Sequence, residues 1–78
     1  MGNRKYHVLL ENRDYIYESD KPYVEALRQI IQANYQYAYD KHSEGFNNTK
    51  VDNYQCVKIA KKVLCDHGFI IKISWADM

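Results

Sequence analysis

The residues with the most reactive side chains cluster late in the chain, where Cys56, Cys65 and His67 sit within a short stretch that could hold a metal ion or an activated thiol. Periodicity places Cys56 and Cys65 on one helix. There, a separation of nine positions puts them on opposite faces and roughly 13 Å apart. Two thiols so placed can neither form a disulfide nor share one tetrahedral ion. Cys56 is expected to face the core as a small packed hydrophobe and Cys65 to face outward. Lys58, Lys61 and Lys62 surround Cys65 and favour its thiolate, whereas the negative end of the helix opposes it.

The remaining chemistry-bearing residues make no motif. His7, His42 and His67 stand in no H-E-x-x-H or H-x-E arrangement, and no Walker, G-x-S-x-G or G-x-G-x-x-G stretch occurs. His67 is expected to cap a helix C-terminus. Glu11, Asp14, Glu18 and Asp20 fall at turns and strand ends, where carboxylates are solvated and their pKa values are not driven apart. The sequence therefore predicts no catalytic, metal or cofactor-binding residue and a protein that is not an enzyme.

The 78 residues allow a single domain, 1–78. A chain of this size buries only roughly 60% of its unfolded surface, which argues against a large enclosed cavity. With 46% hydrophobic and 27% charged residues the composition is that of a globular protein. A formal charge of +1 supplies no overall field for DNA or anionic lipid, so any electrostatic recognition must be local. No leader pattern opens the chain and no apolar run approaches the roughly 20 residues that span a bilayer, so a cytoplasmic protein without a membrane partner is expected. The abundance of Tyr, Asn, Lys and Ile fits an A/T-rich microbial or phage genome.

The elements that would position these residues follow from local pattern. Residues 5–18, KYHVLLENRDYIYE, suit a β-hairpin, with Tyr6, Val8, Leu10, Tyr15 and Tyr17 on one side and His7, Leu9 and Ile16 on the other. Ser19 or Asp20 and then Pro22 start a first helix that runs to about residue 41. Its apolar stripe is Val24, Leu27, Ile31 and Ala38, flanked by Tyr23, Ile30 and Tyr37. In a second helix Asp52 and Gln55 form a capping box, Val51 staples onto Cys56, and Gly68 ends the helix. Its buried face is expected to hold Cys56, Ile59, Ala60, Val63, Leu64 and His67. The segment FIIKISW then alternates as a strand. The predicted fold is a small α+β domain of ββααβ order, with a three-stranded, mainly antiparallel sheet covered on one face by two helices.

Function is read from surfaces. In the stretch NYQYAYDKH the helical phase makes Tyr37 core, Tyr35 rim and Tyr39 exposed on the polar face among Arg28, Gln32 and Gln36. Eight tyrosines, a residue type enriched in interfaces, and the absence of catalytic motifs point to a small module that occupies a protein surface. An adaptor or inhibitor fits, with a phage or mobile element as candidate source. The candidate partner-binding residues are Tyr35, Tyr39, Phe46, Tyr54, Lys58, Lys61 and Lys62. Two alternatives stand beside this reading: a nucleic-acid binder using Lys50 and the basic, aromatic outer face of the second helix, and a homodimeric structural subunit joined across the uncovered sheet face.

Overall fold

Alternation along RKYHVLLEN makes a strand, β1 (Arg4–Asn12), whose Tyr6, Val8 and Leu10 are buried while Lys5, His7, Leu9 and Glu11 face outward. The computed structural model describes residues 4–12, 22–41 and 45–77. Within them β1 is followed by three helices, α1 (Pro22–Lys41), α2 (Asn48–Asp52) and α3 (Gln55–Asp66), and by a second strand, β2 (Phe69–Asp77). The fold is thus α+β, with two antiparallel strands among the described residues. Val8 lies opposite Ile73 and Tyr6 opposite Trp75. Phe69 is buried and Ile71 and Ile73 are half-buried on the helix side, as the alternation of FIIKISW predicts.

The expected order differs in two places. The second strand of the hairpin, with Tyr15, Ile16 and Tyr17, and the Ser19 or Asp20 cap lie outside the described residues. A third strand beside β1 would need the backbone groups of Arg4, Tyr6 and Val8, and these are already bonded to α1. Gln36 Oε1 accepts from the Tyr6 N–H at 2.8 Å and Gln32 Oε1 from the Val8 N–H at 3.0 Å. Gln36 Nε2 donates to the Arg4 carbonyl and Arg28 to the Val8 carbonyl. Three polar side chains spaced four residues apart thus take the place of a neighbouring strand and close that edge.

The second helix of the sequence reading is divided. Asn47, not Asp52, caps its first part, accepting from the Thr49 N–H at 2.8 Å, and α2 ends at Asp52. Asn53 and Tyr54 intervene, and α3 begins at Gln55 without a side-chain cap. The capping box and the staple therefore do not form: Val51 is buried, but Cys56 is exposed on the first turn of α3. The break changes the phase of the helix, so its buried residues are Val57, Ala60 and Leu64, whereas Ile59 and Val63 face solvent. Gly68 does end α3, at φ 83°, where a residue with a side chain would be strained. The His67 ring sits at that terminus, with Nδ1 2.8 Å from the Val63 carbonyl; because a carbonyl only accepts, Nδ1 carries the proton.

Candidate interaction surface

The tyrosines of α1 are arranged the other way round from the prediction. Tyr35 and Tyr39 are 2% and 5% exposed, and Tyr37 is 60% exposed. Tyr35, Tyr39 and Phe46 join Tyr6 of β1 in a cluster of four rings, with centroids 5.5 to 6.2 Å apart and tilted or edge-on geometry. The guanidinium of Arg4 closes one end of it, 5.2 Å from the Tyr39 ring and 4.0 Å from that of Trp75. Tyr35 and Tyr39, expected at the rim and on the polar face, are therefore core. Phe46 packs against the same core, half-buried. The reason lies in the polar face itself: Arg28, Gln32 and Gln36 point at the edge of β1, so the ring beside them is carried inward with them.

The remaining candidates lie around Asp52. Its Oδ1 accepts from the Tyr35 hydroxyl and, at 2.7 Å, from Lys61 Nζ, which also stands 5.8 Å from the Tyr35 ring. Burial, and then the bond to the Asp52 carboxylate, hold the Tyr35 hydroxyl protonated well above the ordinary phenol range. This arrangement ties α1, α2 and α3 together. It also removes Lys61 from the basic face, while Lys62 pairs with Asp66 at 3.1 Å. Lys58 is exposed and has no ion pair among the described residues, and Tyr54 packs half-buried against the core. The expected row of lysines beside a stacking ring is thus reduced to Lys58 and, on α2, Lys50. Cys65 is exposed as expected. Near the start of α1, Arg28 grips Glu25 through two nitrogens, at 2.5 and 3.1 Å, and this bidentate contact lowers the Glu25 pKa below the usual carboxylate range.

With Tyr35 and Tyr39 inside, the exposed large hydrophobic residues of α1 are Tyr23, Ile30 and Tyr37. A spacing of seven aligns them along one side of the helix over about 21 Å. Tyr37 is held by Lys41, whose Nζ donates to the phenol oxygen at 3.1 Å and lies 5.5 Å from the ring centre. Asn34, between Ile30 and Tyr37, is fastened to the Ile30 carbonyl at 2.7 Å. A stripe of two amphipathic rings and one aliphatic side chain, on a helix anchored to a strand edge along its other side, can bury area against another surface with little loss of side-chain freedom. Sequence reading missed this stripe because it assigned Tyr37 to the core. The available signal was the ladder Arg28, Gln32, Gln36, which marks the flank bearing polar groups at a regular spacing of four.

These features define the class of protein only broadly: a small α+β unit whose most distinctive surface is an aromatic helix face, with no helix among the described residues long and apolar enough to cross a membrane. No protein-family model matches the chain, and neither a curated protein nor a solved structure matches it.

Proposed function

We propose that the protein is a non-enzymatic module that binds another protein through the Tyr23, Ile30 and Tyr37 face of α1, acting as an adaptor or an inhibitor. The observation that supports this reading is the exposure of both rings, 61% and 60%, on a helix whose opposite side is fully engaged by β1 and the core. Isolated exposed hydrophobes are ordinary on any surface, but three in one line on a rigid element form a self-contained contact strip. Tyr35 and Tyr39, offered as partner-binding residues by the sequence, are replaced accordingly, since they are reachable only if the core opens.

The test is capture from the native host with the immobilised protein, comparing wild type with the double variant Tyr23→Ser and Tyr37→Ser. A protein retained by the wild type and lost from the variant, with unchanged thermal stability, is the expected outcome. Retention of nothing by the wild type, or equal retention by both, refutes the proposal. The nucleic-acid alternative is separable from it, because oligonucleotide binding through Lys50 and Lys58 would weaken steeply as salt is raised and would be indifferent to the two tyrosines.

A further inference from the structure

The two edges of the sheet are treated very differently. On β1 the groups of Arg4, Tyr6 and Val8 point away from β2 and are bonded to α1. In an antiparallel pair such groups alternate, so Lys5, His7, Leu9 and Glu11 bond to β2 at Ala76, Ser74, Lys72 and Ile70. It follows that Ile71, Ile73 and Trp75 direct their N–H and C=O groups away from β1. Among the described residues no partner meets them. Exposed edges are usually blunted by charge, a bulge or a covering element. Here the one charged residue between Phe69 and Ala76 is Lys72, which lies on the outer face and is paired with Glu11 at 3.1 Å.

A second feature lies on the same side of the molecule. Ile59 and Val63, left in solvent by the phase change of α3, are each about 160° around that helix from Lys61. Because Lys61 reaches Asp52 of α2 and the Tyr35 ring of α1, Ile59 and Val63 face away from α1. The apolar flank that the sequence marks as core is thus the flank the single chain leaves uncovered.

We infer that a second copy of this chain covers it, by antiparallel pairing of β2 with β2 about a two-fold axis through Ile73. In that register Ile73 meets Ile73, Ile71 meets Trp75, and Lys72 meets Ser74, so the two strands overlap fully and no like charges oppose each other. A two-fold at residue 72 instead sets two lysines in a closely spaced pair, which is repulsive. The chosen pairing builds a four-stranded sheet in the order β1-β2-β2-β1, with both outer edges closed by Arg28, Gln32 and Gln36. It also brings the two α3 helices onto one face, their Ile59 and Val63 flanks towards each other. Such an interface is isologous, as closed symmetric dimers require. It leaves the Tyr23, Ile30 and Tyr37 face free, so the dimer is bivalent for whatever that face binds.

Sedimentation equilibrium of the full chain over a wide concentration range, with amide exchange followed at both ends of it, tests the inference. Wild type is expected to dimerise, with the Ile71, Ile73 and Trp75 amides protected only where dimer is populated. Ser74 is exposed, so its substitution should spare the fold. Ser74→Lys places like charges opposite Lys72 twice and should raise the dimer dissociation constant about fivefold or more at low salt, and Ser74→Glu should lower it by a similar factor. A chain that stays monomeric at its highest concentration overturns the inference. So does a dimer in which those three amides exchange freely, or one indifferent to both Ser74 variants. Failure of the tyrosine variants to release a partner bears on the α1 face alone and leaves this result untouched.

Discussion

The sharpest consequence of the structure concerns two tyrosines two residues apart. Tyr39→Ala removes a ring that is 5% exposed and packs 5.8 Å from both Tyr6 and Phe46, centroid to centroid, with Arg4 above it. Truncating a buried aromatic to alanine costs about 3 to 5 kcal/mol, because the transfer energy of the ring and the contacts around the resulting cavity are both lost. The whole stability of a chain of this length is about 4 to 12 kcal/mol. Tyr39→Ala should therefore remove at least about a quarter of the total and lower the unfolding midpoint in proportion. Tyr37→Ala, at 60% exposure, should change stability by about 0.5 kcal/mol, since what it gives up is a contact with Lys41 in solvent. Urea denaturation followed by far-ultraviolet circular dichroism reads both directly. A large fall in midpoint for Tyr39→Ala with none for Tyr37→Ala is expected. Equal midpoints, or the reverse order, would refute the placement of the aromatic cluster and with it the choice of α1 face.

Other expectations follow from the same geometry. Gln36→Ala strips two hydrogen bonds from the edge of β1 and should cost about 1 to 2 kcal/mol by urea titration. The double variant Gln32→Ala and Gln36→Ala opens that edge, and light scattering should show it aggregating at concentrations the wild type tolerates. Because the folded-state pKa of Tyr35 lies above its unfolded value of about 10, its contribution to stability is complete below that pH and is lost as pH rises beyond it. Thermal melts should therefore fall steeply above about pH 10, and Tyr35→Phe, less stable at neutral pH, should fall less steeply. Finally, at concentrations low enough to keep the chain monomeric, both thiols should react with a water-soluble maleimide in the native state at rates close to those of the unfolded chain, measured by mass spectrometry; strong protection of Cys56 there would contradict its position on the exposed flank of α3.

Much of the architecture is legible in local pattern. The alternation of Tyr6, Val8 and Leu10, the stripe Val24, Ile31 and Ala38, and the glycine at position 68 each describe a short-range geometry that the structure retains. The division of the second helix was less legible, because Asn47 and Asp52 are both good caps by residue type. Asp52 is drawn instead to Tyr35 and Lys61, partners 17 and nine residues away.

What the sequence determined alone is the set of elements whose causes are local: where backbone must extend, where it must coil, and which positions along each element are apolar. What only the tertiary structure decided is which flank of each apolar stripe is buried. On α1 the stripe is bordered by rings on both sides, and helical periodicity cannot choose between them. The choice fell to the side carrying Arg28, Gln32 and Gln36, because an unpaired strand edge requires polar partners and those residues supply them. A flank that looks solvated in sequence is in fact the one that docks, and it carries Tyr39 into the core while leaving Tyr37 outside.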